Sequence, residues 1–251
     1  MIERLLPVAG SEHAVAFDAV LKSVHAHIAI QALAWGTFLV FCLIRFRSSR
    51  QPQASHRGIA PVLPMFAIAV VIVGDVVLLA TMALPAWLAR ATMPSSVLAA
   101  TEVRIAAEQF AWNIHYPGPD RRFGVTSAAL ISASNPVGID RTSPDGTDDV
   151  GLLNVLMVPV GRPVVVQLSS RDVVHSFTLN EMRVRQDATP GLLVRTWFTP
   201  TITGQWQIAC SQLCGLAHYR MRGEFSVLSQ PGWDEWLRRE VALIPPEAGL
   251  R

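Results

Sequence analysis

The chain has 251 residues, with 21 Lys and Arg against 19 Asp and Glu, a formal net charge of +2, 51% hydrophobic residues and 16% charged residues. A soluble globular chain carries about 25% charged residues, so this deficit indicates that part of the chain lies in lipid. The high hydrophobic content excludes disorder as the main state. The near-neutral charge argues against a nucleic-acid-binding protein, which needs a clustered basic surface.

Two long apolar runs predict membrane-spanning helices. The run from Ile28 to Ile44 carries no charge, and the run from Val62 to Leu84 carries only Asp75. A helix needs about 20 residues to cross a bilayer, so we expect spans at about 26–46 and 62–84. A buried core helix is the alternative for each run, but two such runs are hard to bury in a domain of this size.

The loop between the two runs predicts the orientation of the hairpin. From Arg45 to Gly58 it carries four arginines and no acid, and short Arg-rich loops stay on the cytoplasmic side. Both chain ends therefore face the periplasmic or outer side. We expect residues 1–89 to form an N-terminal segment and the hairpin, and residues 90–251, with 15 Arg and 15 acidic residues, to form a water-facing domain.

The second half of the chain has the rhythm of a β domain. Short runs rich in Val, Phe, Trp and Thr alternate with Gly, Pro and Asp, which predicts an all-β sandwich or barrel. Near the end, Trp233, Trp236 and Leu237 are spaced to share one face of a short capped helix. The stretch 132–151 is interpreted as a loop-rich insertion without assignable chemistry.

The segment CSQLCGLAHYRM concentrates the chemistry. Cys210, Cys214, His218 and Met221 offer two thiols, an imidazole and a thioether, and such soft ligands select copper over hard cations. Cys214, His218 and Met221, with His175 from a distant strand, have the composition of a mononuclear blue-copper site. The additional Cys210 allows a second interpretation, in which two thiolates bridge two copper ions and the two histidines are terminal ligands.

Two other interpretations of this segment remain open. Cys210 and Cys214 are able to form a disulfide in an oxidising compartment. Two cysteines and two histidines also suit a tetrahedral zinc site, although zinc would leave Met221 without a role. Cys42 lies in the first predicted span and is interpreted as a small apolar packing residue.

The whole arrangement resembles subunit II of the haem–copper cytochrome c oxidases, which carries the binuclear CuA centre. The resemblance rests on the hairpin with both ends outside and on the motifs HSF, QDATPG and CSQLCGLAHYRM. It implies a transmembrane α-hairpin followed by a cupredoxin-like Greek-key β-sandwich. It also implies two copper ions, bound by the side chains of His175, Cys210, Cys214, His218 and Met221 and by the backbone carbonyl of Gln212.

The resemblance further implies a function in an aerobic respiratory chain of a bacterial inner membrane. Electrons pass from cytochrome c, or a similar periplasmic donor, through copper to haem in subunit I, where oxygen is reduced and protons are translocated; subunit III is a further expected partner. No Cys-x-x-Cys-His motif for covalent haem is present, so the donor is a separate molecule. A membrane-anchored copper-binding or copper-delivery cupredoxin remains the alternative. A quinol-oxidase subunit lacks the copper ligands that are present here.

Two departures from the family and one match to it concern the ends of this electron path. Gln212 stands where the family usually has Glu at a magnesium or manganese site, and a neutral amide is a weaker ligand for such a hard cation. Phe110 stands where the family has the tryptophan that receives the electron, which makes Phe110 and Trp112 the two candidates for that role. Asp187 matches an Asp near the subunit I contact, and a solvated turn is its alternative interpretation.

The membrane part departs from the family as well. The family often has Glu near a proton channel at the cytoplasmic start of the second helix, where this chain has His56, Arg57 and Gly58. Asp75 instead lies near the middle of the predicted span. An intramembrane acid is costly and indicates a function with a partner on a neighbouring helix, either proton handling or a hydrogen bond to subunit I.

Overall fold

A computed structural model describes residues 6–51, 53, 58, 62–93 and 99–244. The chain divides into two units, one made mainly of residues 16–92 and the other of residues 3–15 together with 93–251. Within the Arg-rich loop, His56 and Arg57 lie outside the described residues.

The first unit is helical. Helix α1 runs over Glu12–Arg45, and a second helical run consists of α2 (Val62–Leu78), a π-helical turn (Leu79–Ala83) and α3 (Leu84–Ala91). By length and composition, both runs are able to cross a membrane. Each is longer than the span expected from its apolar residues, because helical backbone continues into the polar flanks.

The π-helical turn has a local cause in Pro85. Proline has no amide hydrogen, and in an α-helix its ring would clash with the carbonyl four residues earlier, here that of Thr81. The wider turn places the Leu84 amide against the carbonyl of Leu79, five residues back. The helix thus passes Pro85 without ending, and Pro85 occupies the first turn of α3.

The second unit contains two five-stranded sheets. The first has the order β3-β2-β1-β5-β8; β1 and β5 run parallel and the other neighbours antiparallel. Its strands are β1 (Thr101–Glu108), β2 (Ala111–Tyr116), β3 (Val150–Leu153), β5 (Val164–Ser170) and β8 (Val194–Phe198).

The second sheet has the order β4-β10-β9-β6-β7, with β4 and β10 parallel and the other neighbours antiparallel. Its strands are β4 (Val155–Pro159), β6 (His175–Leu179), β7 (Val184–Ala188), β9 (Gly204–Cys210) and β10 (Arg222–Leu228). The predicted architecture of two apolar helices and an all-β sandwich is confirmed.

A single apolar core joins the two sheets. Strand β1 alternates between buried residues, such as Val103 and Ile105, and half-buried ones, as expected for a strand with one face on the core. The fully buried aromatic residues come from both sheets, and each contributes about 1.5–3 kcal/mol by leaving water. They are Trp112, Tyr116, Phe177, Phe198 and Phe225.

Two terminal segments are fastened to this core. Near the N-terminus, the Gly10 amide donates to the Glu181 carbonyl (2.8 Å), and the Ser11 hydroxyl donates to the Met182 carbonyl (2.7 Å). At the other end, helix α4 (Gln230–Ala242) begins after Ser229, whose hydroxyl accepts from the Gly232 amide and caps the helix. Its two buried tryptophans, Trp233 and Trp236, pack against Tyr116.

The insertion between β2 and β3 is organised around a buried carboxylate. Asp149 lies 2.5 Å from the Nε2 atom of His115 and accepts the Gly124 amide at 2.8 Å, and both side chains of the pair are excluded from water. Arg141 donates to the carbonyls of Gly146 and Asp149. The stretch predicted as a loop-rich insertion is therefore held together by these polar groups as well as by the buried side chains of Val137 and Ile139.

Candidate metal centre

The motif CSQLCGLAHYRM forms the connection between two neighbouring strands. Cys210 is the last residue of β9 and Met221 directly precedes β10, and the antiparallel register pairs Ala209 with Arg222. The two ends of the loop are thereby closed on each other. Within it, Gly215 has a φ of 138°, and a Cβ there would lie 2.6 Å from the Gln109 side-chain nitrogen. Glycine is therefore required at this position.

Strand β6 brings the distant histidine to the same end of the sheet. His175 is its first residue, and β6 pairs with β9 so that Phe177 lies opposite Cys210. The two strands are adjacent although 35 residues separate His175 from Cys210 in sequence. The sheet therefore places a histidine of one strand beside the sulfur loop, which is the arrangement that the sequence predicted.

The side chains meet in a compact cluster. The donor atoms of His175, Cys210 and Cys214 all lie within 4.8 Å of one another. Three sulfur distances define the cluster further: Cys214 Sγ lies 3.8 Å from Cys210 Sγ, 3.7 Å from Met221 Sδ and 3.5 Å from His218 Nδ1. His175 Nδ1 is 3.1 Å from Met221 Sδ. Cys210 Sγ also lies 3.2 Å from the Gln212 carbonyl oxygen.

This donor set fits copper better than the alternatives. The two cysteines are free thiols, and their sulfurs are well beyond the roughly 2.05 Å of a disulfide. Met221 is buried inside the cluster with its sulfur towards His175 and Cys214, so the thioether has a place that a zinc site would not need. Thiols, thioether and imidazoles together match the preferences of copper.

The cluster lies at the boundary between the core and solvent. His175, Cys214 and Met221 are buried, whereas Cys210 and His218 are half-buried. Loss of water, reinforced by the neighbouring Cys210, raises the pKa of the Cys214 thiol to about 11. Without a metal, Cys214 is therefore protonated at neutral pH, and metal binding must displace this proton.

A carboxylate holds the ring of His175 from behind. Asp172 lies 2.9 Å from the Nε2 atom, which leaves Nδ1 directed at the sulfur cluster. Partial burial alone would raise the pKa of Asp172. The hydrogen bond with His175 and the backbone amides of Gln109 and Val173 outweigh it, so the net shift of the pKa is downward. A carboxylate on the second nitrogen is the usual way to orient a metal-binding histidine.

Gln109 connects this carboxylate with the sulfur loop. Its backbone amide donates to Asp172 at 2.7 Å, and its side-chain amide donates to the Cys214 carbonyl at 2.6 Å. The turn between β1 and β2 is thus bonded both to the carboxylate that holds His175 and to the sulfur loop. Sequence reasoning missed the role of Asp172, whose available signal was an acid three residues before the candidate ligand His175.

The two aromatic candidates lie in different environments. Phe110 is half-buried, and its ring would contact a Cβ at Gly215 at 3.2 Å, so it covers the sulfur loop. Trp112 is fully buried, and its ring centroid is 6.2 Å from that of His175. Only Phe110 of the two reaches the surface.

The remaining predicted positions are exposed. The side chains of Gln212 and Asp187 face solvent, and Asp187 lies on β7 opposite Ser176. Around the loop, Leu213, Leu216 and Tyr219 also project into solvent, and Leu216 is 99% exposed. We call these three residues the apolar rim.

The chain is similar in sequence to known proteins. Residues 101–224 match the family model of the periplasmic domain of cytochrome c oxidase subunit II. The chain is 35% identical over 204 residues to the alternative cytochrome c oxidase subunit 2 of Bradyrhizobium diazoefficiens, which covers 81% of this chain and 72% of that relative. It is 31% identical over 149 residues to cytochrome c oxidase subunit 2 of Cereibacter sphaeroides, covering 55% of this chain and 48% of that relative.

The chain therefore spans about half the length of the second of these relatives. Among solved structures, the periplasmic domain of cytochrome oxidase subunit II of Bradyrhizobium japonicum aligns with a TM-score of 0.45 and 25% identity, over 61% of this chain and 100% of that one.

Proposed function

The chain belongs to the cytochrome c oxidase subunit II family, and from this premise we propose that it is the electron-transfer subunit of a bacterial oxidase with a binuclear copper centre. The observation that carries the proposal is the pair of free thiols 3.8 Å apart, with two imidazoles beside them. One thiolate would serve a mononuclear site, whereas two neighbouring thiolates suit two metals.

The six proposed ligands can be assigned to two copper ions. His175 Nδ1 and Met221 Sδ, 3.1 Å apart, would serve one copper. His218 and the Gln212 carbonyl would serve the other, and both cysteine sulfurs would be shared. A magnesium or manganese site is not part of the proposal, because Gln212 offers an amide in place of a carboxylate.

The residues around the cluster support rapid electron transfer. When bound, a copper pair with shared thiolates takes up and returns one electron. The burial of His175 and Met221 keeps water away from one end, and Asp172 holds the imidazole in one orientation. Gln109 restrains the loop through the Cys214 carbonyl. A rigid set of ligands reorganises little, which favours electron transfer in both directions.

The surface of the loop supports contact with redox partners. The apolar rim and Phe110 surround the cluster without being part of it. We assign Phe110 to the surface that receives the electron from cytochrome c or a similar periplasmic donor, and buried Trp112 to the interior beside His175. The electron would pass on to haem in subunit I, where oxygen is reduced and protons are translocated.

The helical unit supports a membrane-anchored complex. The two apolar helices suit a hairpin in the bacterial inner membrane, with the Arg-rich loop inside and the copper domain outside. Subunit I, and subunit III beyond it, are the proposed partners in the bilayer. Residues 1–89 and 90–251 would then act as anchor and copper domain.

The test is a copper count and an electron paramagnetic resonance spectrum of the full-length chain loaded with copper in detergent. We expect two coppers per chain and the signal of one unpaired electron shared over both. The variant Cys210→Ser should lose the shared signal and bind copper at least about 100-fold more weakly, because losing a ligand exceeds the effect of losing a residue that only orients one.

Cys42→Ser is the matched control, since Cys42 is a free cysteine of α1 and is not one of the proposed ligands. It should leave the copper count and the spectrum unchanged. A single copper with a single-metal signal in the unchanged chain would contradict the proposal and favour a copper-delivery protein.

A further inference from the structure

A histidine and an aspartate from different helices meet within the hairpin. His27 Nε2 on α1 lies 2.9 Å from Asp75 Oδ1 on α2. The Gln31 side-chain amide approaches the same ring nitrogen at 2.6 Å. The sequence indicated Asp75 alone, and the pairing of the helices supplies both of its neighbours.

The backbone around the pair is shaped to hold it. Gly74 faces the ring of His27, and a Cβ at that position would lie only 2.6 Å from the ring carbon Cε1. Any other residue there would push the imidazole away from Asp75. The π-helical turn begins at Leu79, four residues after Asp75, and such turns frequently occur at functional sites.

The pair lies in the outer half of the proposed membrane segment. At 1.5 Å per residue, His27 is roughly 27 Å along α1 from Arg45, and Asp75 is roughly 20 Å along α2 from Val62. Both distances fall within about 30 Å of hydrocarbon, in the half remote from the Arg-rich loop. The Asp75 side chain is 60% exposed on this chain, and a carboxyl at that depth requires a partner protein or water rather than lipid.

The hydrogen bonds accommodate a proton on either residue. With the proton on Asp75, Nδ1 of His27 carries the ring hydrogen, and the single lone pair of Nε2 accepts from the carboxylic acid or from the Gln31 amide. With the proton on Nε2, the imidazolium donates to the carboxylate, and a rotated Gln31 amide presents its oxygen. Among the described residues, Nδ1 of His27 has no hydrogen-bond partner.

A cavity of about 350 Å³ adjoins the pair. Its polar lining consists of His27, Gln31 and Asp75, and the rest is aliphatic or thioether. One water occupies roughly 30 Å³, so the cavity has room for several waters beside these three polar side chains. Waters in that position would carry a proton to and from the pair.

We propose that His27 and Asp75 form a proton-holding site within the membrane hairpin, which takes up a proton during turnover and releases it towards the outer side. Asp75 is the only charged residue of α2. On α1, Lys22 and Asp18 each have interactions of their own, and His25 is bonded to the Leu21 carbonyl at 2.7 Å. The site is separate from the sulfur cluster, but its place in turnover rests on the proposed oxidase function.

The test uses the assembled oxidase in sealed vesicles. Asp75→Asn retains a hydrogen-bond acceptor for His27 but is unable to bind the proton, and His27→Gln retains a donor for Asp75 but is unable to accept one. We expect each variant to reduce the protons released per electron by about half or more. Turnover in uncoupled vesicles and the copper signal should stay unchanged, which separates this proposal from failure of the copper centre.

Asp75→Glu, which keeps the carboxyl, should retain most of the release, and Thr37→Val is the control for a polar residue of α1 outside the pair. Release at the unchanged level in either Asp75→Asn or His27→Gln would overturn the proposal. If neither variant assembles, nitrogen-15 NMR of the histidines in the unchanged full-length chain in lipid nanodiscs tests the proposal instead. The ring nitrogen of His27 should show a hydrogen bond to a carboxyl group, and a His27 ring without such a bond would overturn the proposal.

Discussion

Two histidines of the β domain show how similar pairs come to do different work. His175 and His115 both lie on strands, are both buried, and both place Nε2 against an aspartate. The Nδ1 atom of His175 faces the Met221 sulfur at 3.1 Å, whereas the ring of His115 packs edge-on against Phe123. A carboxylate partner therefore does not by itself make a histidine a candidate ligand; the neighbours of its other nitrogen distinguish the two.

The two aspartates that contact these histidines, Asp149 and Asp172, differ in their exposure to solvent. Asp149 is completely buried, and its carboxylate holds His115 and the insertion together. Asp172 is partly exposed and accepts two backbone amides as well as His175. The first pair is thus part of the core, and the second pair orients a side chain at the edge of the core.

The largest expected effect comes from breaking the buried pair of His115 and Asp149. Asp149→Ala should lower the free energy of unfolding by about 3–5 kcal/mol, because it leaves a buried imidazole without its partner. Denaturant titration of the full-length chain measures this loss. Asp145→Ala is the control, since its ion pair with Arg122 is exposed and 3.7 Å long, and it should cost less than about 1 kcal/mol. Equal effects of the two substitutions would remove the distinction drawn here.

The second-largest expected effect concerns the pair of Asp172 and His175. Asp172→Asn should weaken copper binding by about 10–100-fold, because the imidazole loses the charge that fixes its orientation. Competition titration with a copper chelator measures the change, and Asp187→Asn, an exposed aspartate of β7, is the control. Unchanged affinity in Asp172→Asn would mean that packing alone orients His175.

The smallest effect is a pH dependence confined to the sulfur cluster. The pKa of Cys214 is raised from 9.0 to about 11 in the folded, copper-free chain. The unfolded chain therefore loses this proton first, so stability is unaffected below pH 9 and falls as the pH rises towards about 11. Denaturant titrations under reducing conditions should show this loss, and Cys214→Ser should lack it. A Cys214→Ser chain with the same dependence would assign the titration to another group.

Whether the sequence predicts a contact in this protein depends on how far apart in the chain the two residues lie. The two cysteines, His218 and Met221 lie within twelve residues, so their residue types and spacing predicted a copper site. His175 was already a candidate from the sequence, and the pairing of β6 with β9 brings it to the two cysteines. The contacts of Gln109 with Asp172 and Cys214 depend on how a turn meets two loops. No spacing in the sequence encodes such contacts.

Two apolar helices, a β-sandwich and a loop of candidate soft ligands were predictable from the sequence, because hydrophobic period and ligand chemistry are local properties. The enclosure of Trp112, the partial exposure of Phe110 and the contact of His27 with Asp75 became visible in the folded chain alone. These outcomes depend on strand register and on which helix faces meet. Register and helix facing are set by the fit of the whole core, since a shift of one residue exchanges the buried and exposed sides of a strand.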